Sequence, residues 1–361
     1  MKKSFLIFLI FVIYNFLNAN NTNFTVERHI PVEEFHNLTL VGNIDLFYRQ
    51  SDNFSVIIKA SDESDYENLQ YEYHENTLTI RNGGKNYSIF TVLGVQVFRS
   101  EGSHIKKLEV YINAPYLYMI DKYGGGRIYF EPGIVLSDLD LKQSGGGLID
   151  INVFTIERLN LTQSGGGNAN LSGTADFARI THSGGGRFNG ERFIINKAII
   201  SASGGANINA RITEDLTLSI TGGGRVNLTG TADIARLQMS GGGGIYAENF
   251  IIKKANITAS GGGRVDAFIL EEVNLNRSGG GTTNLSGVAK NARIQMSGGG
   301  RLNAENLMIE NANINLSGGA GGSVYVTELL DIRMSGGGRL NYSGNPRIRQ
   351  NLSGGARLTH S

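Results

Sequence analysis

Six arginines stand directly after a short glycine signature: Arg127, Arg187, Arg225, Arg264, Arg301 and Arg339. A guanidinium is a permanent cation whose planar fork of donors matches carboxylates, sulfates and phosphates. From Arg187 onward these arginines occupy every other occurrence of the signature, with Asn207, Gly244, Thr282 and Gly321 between them. In a regular solenoid, alternate coils stand about 10 Å apart, so Arg187, Arg225, Arg264, Arg301 and Arg339 form a candidate edge for a polymer with repeating anionic groups. The same spacing also keeps like charges off adjacent coils, which serves solubility without any ligand.

Other chemistry is poorly provided for. The histidines, His29, His36, His74, His104, His182 and His360, are scattered, and none pairs with another at metal-ligand spacing. His182 adjoins Ser183, but the matching positions 57 residues on are Met239 and Met296, so it reads as a variable lining residue rather than a catalytic base. Asp176 and Asp233 occupy equivalent places, yet the next two equivalents are Lys290 and Arg347. A position that exchanges acid for base is solvated surface, not the acidic pair of a glycoside hydrolase. No glycine signature is followed by the Lys and Ser/Thr of a phosphate-binding loop, nor by the Asp of calcium-binding nonapeptides. The reading is of a protein without catalytic residues, metal or cofactor.

The elements that must carry the arginines are written in the glycines. The signature, usually SGG or SGGG, begins at Tyr123, Ser144, Ser164, Ser183, Ser203, Thr221, Ser240, Ser260, Ser278, Ser297, Ser317, Ser335 and Ser353, in steps of 18 to 21 residues. That is the period of a solenoid whose rungs are short strands. Coils of 19, 20 and 18 residues combine into a unit of 57, seen in LSGTAD, LTGTAD, LSGVAK and YSGNPR, which open at Leu171, Leu228, Leu285 and Tyr342. Within a coil, apolar and polar residues alternate, as in Val226 and Leu228 or Ala235, Leu237 and Met239. Three residues before each signature start stands an aliphatic residue in twelve of thirteen coils, from Ile120 to Ile332, with Gln350 last. This column must stack inside. Glycine at the corner supplies positive φ and lets successive backbones approach. Each coil is therefore expected to contain two short strands joined by turns.

Residues 1–19 have a basic start, an apolar run from Phe5 to Phe16 and Ala19 before a polar segment, the form of a secretory signal peptide. Without Lys2 and Lys3 the chain has 31 basic and 32 acidic side chains, so no electrostatic case for nucleic acid exists. There is no cysteine, which excludes both disulfides and a lipid-modified N-terminal Cys. Residues 20–116 lack the signature but read as strands, an N-terminal cap and first coils of the same solenoid. Residues 117–361 form the glycine-signature part, and Pro346, Arg347 and Arg349 disrupt its last coil as a C-terminal cap.

The opening LTLVGNIDLFYRQ, VIIKA, YEYHENTLTI and KKLEVYINAP, followed by coil after coil of SGG, resembles the bacterial GIN-domain family, described as putative auto-transporter adhesin, head GIN domain. The resemblance runs from about residue 35 to 361. It implies a single-domain, single-stranded right-handed parallel β-helix exported by bacteria. Arg after the glycines departs from the Asp or Ser of many relatives. No translocator barrel follows the solenoid, so self-transport is not expected. The combined expectation is an extracytoplasmic, non-enzymatic, adhesin-like protein that binds acidic glycan or envelope polysaccharide, with no transmembrane anchor after signal removal and with self-association open. The competing readings are a structural envelope protein and, third, a carbohydrate-active β-helix enzyme.

Overall fold

The computed structural model describes residues 24, 26–67, 69–82, 87–92, 95–100 and 108–361. The expected signal peptide lies outside them. The chain forms a parallel β-solenoid of about 12 turns, each of about 20 residues. Among the described residues, no helix is long and apolar enough to cross a membrane.

The coil Arg225–Ser240 shows how sequence becomes structure. Val226, Leu228, Ala232, Ala235, Leu237 and Met239 are buried, and they lie over Ile245, Ala255, Ile257 and Ala259 of the next coil through a ladder that pairs Val226 with Ile245 and Leu237 with Ile257. The aliphatic column from Ile120 to Ile332 is at most 1% exposed throughout, so this column is the axis of the core. The expectation of two short strands per coil is corrected. Most coils are one strand of 14 to 18 residues, such as Asn168–Gly184 and Gly244–Ser260, that bends at register shifts without leaving the ladder.

The turns rest on glycines that no other residue replaces cheaply. Gly241 opens its corner at φ +123°, and a Cβ there would sit 2.6 Å from the carbonyl oxygen of Gly222 one rung below. A second glycine column explains the 57-residue unit. Gly173, Gly230, Gly287 and Gly344 all have positive φ, and a Cβ on Gly230 would meet the carbonyl oxygen of Ile212 at 2.1 Å. At one register shift the coils of 20 residues hold three residues more than the next coil, and the insertion turns Phe193, Phe250 and Leu307 inward. Phe154 and Phe193 pair with Gly173 from either side, and their rings stack over it at 5.0 Å. A bulky rung thus fills the space that a glycine rung leaves.

At the N-terminal end, spatial order departs from chain order. The strands Asn37–Val41 and Ile44–Gln50 lie between two later rungs. On one side they pair in parallel with Thr77–Asn82 and Leu108–Ala114, on the other with Met119–Tyr123 and Arg127–Phe130. Beyond the outermost rung the direction reverses: Ser55–Ala60 is antiparallel to Leu108–Ala114, Val26–Ile30 to Ser55–Ala60, and Leu69–His74 to Thr77–Asn82. A short helix, Glu63–Glu67, interrupts these strands. At the other end the strand stops at Ser343 and resumes at Arg347, directly after Pro346, and Arg347–Leu352 then stacks in register on Leu329–Met334.

Candidate functional site

The ladder places the arginines in one column. Register runs Arg187, Asn207, Arg225, Gly244, Arg264, Thr282, Arg301, Gly321, Arg339 and Arg357, one residue per rung. Arg187, Arg225, Arg264, Arg301 and Arg339 are exposed and alternate as the sequence indicated. Arg357 then follows Arg339 on the very next rung, which ends the alternation.

Two residues further along each strand, facing the same side, runs a column that sequence reasoning overlooked: Asp150, Asn170, Asn189, Asn209, Asn227, Tyr246, Asp266, Asn284, Asn303, Ser323 and Asn341. Its amides bond rung to rung. Asn227 Nδ2 donates to Asn209 Oδ1 at 2.7 Å, and Asn303 Nδ2 to Asn284 Oδ1 at 2.7 Å. Each such bond contributes about 1 kcal/mol and fixes the strand face beside the arginines. The signal was present as Arg-x-Asn at residues 187, 225, 301 and 339. At the N-terminal end the same column turns aromatic, with Phe47 stacked on Tyr111 at 4.7 Å and Tyr129 on the next rung.

Two of the five arginines are already engaged. Arg264 Nε donates to both oxygens of Asp266, at 2.9 and 2.8 Å, and that hydrogen-bonded carboxylate raises the pKa of the guanidinium further. Arg225 lies over the Tyr246 ring, 5.0 Å from its centroid. Both contacts hold the guanidinium close to the strand face.

The side chains weighed for catalysis are not gathered. His182 is buried, and Asp176 is on the surface with Asn196 Nδ2 donating to its Oδ1 at 3.1 Å. Asp233 pairs with Lys253 at 2.7 Å. No group of three His, Cys, Asp or Glu that could hold a metal exists among the described residues. A shallow groove of about 640 Å³ crosses several C-terminal coils, from Thr258 and Ser260 to Asn351 and Ser353. Its exposed lining is hydroxyls, amides and Arg333, with no carboxylate, so no acid–base pair is available there.

A parallel β-solenoid with glycine corners, an inner aliphatic column and a polar outer ladder defines a class of elongated repeat proteins. The chain belongs to the family described as putative auto-transporter adhesin, head GIN domain, whose model matches residues 34–232, 213–283 and 233–346. A putative adhesin from Bacteroides fragilis shares the fold, with 24% identity and a TM-score of 0.54 over 61% of this chain and 95% of that one. A putative lipid binding protein from Parabacteroides distasonis aligns at 16% identity and a TM-score of 0.29, over 93% of this chain and 96% of that one. A putative adhesin from Parabacteroides merdae aligns at 18% identity and a TM-score of 0.24, over 93% and 95%. No curated protein matches the sequence.

Proposed function

We propose that this is an exported, non-enzymatic, adhesin-like solenoid that holds an acidic glycan or envelope polysaccharide along its Arg/Asn face, outside the cytoplasm. The observation that carries the reading is the register: Arg187, Arg225, Arg264, Arg301 and Arg339 share one column, with amides beside them on the same face. The family's description as putative adhesin and the putative adhesin of the same fold support it. An extended anionic polymer meets several guanidinium groups at once, each contact weak and the sum salt-sensitive. The test is binding of uronate and sulfated polysaccharides to the mature chain. One Arg→Ser change lowers binding slightly; all five abolish it while the melting temperature stays within a few degrees. Equal binding by the five-fold variant, or none by the wild type at low salt, overturns the reading.

The engagement of Arg264 by Asp266 and of Arg225 by Tyr246 favours one competitor, a structural envelope protein whose arginines only solubilise the edge. Surface exposure separates the two. Protease shaving of intact cells removes an adhesin and spares a periplasmic scaffold.

A further inference from the structure

The side of the solenoid between the Asn column and the strands that lead into the corners carries an outward apolar stripe. Ile251, Leu270, Val288 and Met308 are 41%, 42%, 39% and 42% exposed, one on each of four successive rungs. Ile251 pairs with Phe268, and Val288 with Met308, which pairs with Tyr325; Phe268 and Tyr325 are half-buried. The other large hydrophobics this exposed among the described residues, Tyr71, Tyr73, Tyr118, Val135 and Val153, all precede residue 154. The repeat keeps an aliphatic residue at Ile194, Ile251 and Met308 but does not require the rest of the stripe. One 57-residue unit earlier, the counterparts of Phe268, Leu270 and Val288 are Arg211, Thr213 and Thr231. A local, contiguous apolar strip on a polar repeat surface marks an interaction site.

Charges beside the stripe say what covers it. Lys253, Glu271, Lys290 and Glu310 follow the apolar residues on those four rungs, all exposed, with alternating sign. We propose that a second copy of this chain packs on the stripe with its solenoid axis antiparallel to the first. A two-fold axis between the rungs of Leu270 and Val288 sets Ile251 against Met308 of the second copy and Leu270 against its Val288. The same operation sets Lys253 against Glu310 and Glu271 against Lys290, so each apolar pair and each charge meets its complement. A parallel pair with its two-fold axis along the charges would set every charge against itself. Lys253 also reaches Asp233 at 2.7 Å within its own chain, so the strongest new pair is Glu271 with Lys290. Four rungs at about 4.8 Å span about 19 Å, well short of a standard interface, which makes this a dimer of micromolar rather than nanomolar affinity.

Sedimentation velocity on the mature chain, from about 1 to about 100 μM, tests the proposal. A monomer–dimer equilibrium is expected in that range. Leu270→Lys shifts it at least tenfold toward monomer. Lys290→Glu does the same by setting carboxylate against carboxylate, and Glu271→Lys combined with Lys290→Glu restores the dimer. All these positions are exposed, so thermal melts of the variants should match the wild type and exclude misfolding. A wild type that stays monomeric at every concentration overturns the proposal, as does a Lys290→Glu variant that associates unchanged. Failure of the double variant to recover overturns the antiparallel arrangement. Polysaccharide binding is read separately, on the Arg/Asn columns, so neither result substitutes for the other.

Discussion

Gln163 donates from Nε2 to Oε1 of Gln143 at 2.7 Å, one rung apart and inside the solenoid. The pair belongs to the column immediately before the corner serines, where Lys122, Gln143, Gln163 and His182 are buried on consecutive rungs, followed by Ala202, Ile220 and Met239. Lys122 Nζ donates to the carbonyl oxygens of Gly42, at 2.7 Å, and of Gly125. Further along the same column Arg277, also buried, donates to Gly263 O and, at 2.7 Å, to Thr283 Oγ1. The polar members of this column all have donors, and none is Asp or Glu. Glycine corners turn some carbonyl oxygens inward, so the space beneath them accepts donors and rejects carboxylates.

A pH dependence follows from that column. Burial pushes Lys122 down to about 7 and lowers His182 below its ordinary value. Both are bases depressed by folding, so the unfolded chain binds the proton more tightly, and stability rises with pH wherever that difference is felt. For Lys122 the window runs from about 7 to about 10, and for His182 it lies below about 6.5. Urea midpoints should climb from pH 5 to pH 9. Lys122→Gln should flatten the alkaline half, and His182→Met, which copies positions 239 and 296, the acidic half. A wild-type midpoint that falls between pH 7 and pH 9 would contradict the sign.

Adjacent glycines of one corner should respond oppositely. Gly241 has φ +123° and a neighbouring carbonyl in the way of a Cβ, whereas a Cβ on Gly242 meets nothing within 4 Å. Gly241→Ala should cost at least about 2 kcal/mol, from forced φ and a displaced rung. Gly242→Ala should be neutral or stabilise by up to about 1 kcal/mol, by restricting the unfolded chain. Chemical denaturation of the two variants decides it; equal losses would mean that the corner is rigid throughout.

Val153 offers a site for stabilisation. It is a β-branched residue at φ +51° with 62% of its surface exposed, held by Ser172 Oγ, which accepts from its N–H at 2.9 Å, and by Gly133, which donates to its carbonyl at 2.8 Å. Left-handed backbone costs such a residue about 1–2 kcal/mol. Val153→Asn keeps both backbone bonds and suits the conformation, so it should raise stability by about 1 kcal/mol. An unchanged or lower melting temperature would mean that Val153 packs against something that offsets the strain.

What was legible in the sequence is what repeats. The column from Ile120 to Ile332 could be read because every coil restates it, and the glycines mark where each coil begins. Strands that lack the marker gave their existence but not their partners. Nothing local says that Ile44–Gln50 lies between Leu108–Ala114 and Arg127–Phe130, because that choice is made by long-range closure of the N-terminal end. The Asn column and the apolar stripe are also written in the sequence, but at outward positions. They alternate with buried residues such as Val226 or Ile252 and appear only when the outward positions are aligned as well.

The engagement of Arg264 yields the sharpest test of the proposed face. Asp266 is buried at its base, where it accepts from Arg264 Nε and from Asn284 Nδ2. Equivalent positions two rungs away and on the next rung carry Asn227 and Asn284, so Asp266→Asn extends the amide ladder rather than breaking it. The Arg264 side chain is 57% exposed and that of Asp266 only 7%; the group left without its partner is the solvated guanidinium, so the loss should cost about 1 kcal/mol. Freed of its carboxylate, Arg264 should present its whole fork to a polyanion, and the column should gain one net positive charge. Acidic polysaccharide should then bind several-fold more tightly, with a steeper dependence on salt. Unchanged affinity with unchanged salt dependence would place Arg264 outside the binding edge and leave Asp266 as the reason it stands so close to the strand.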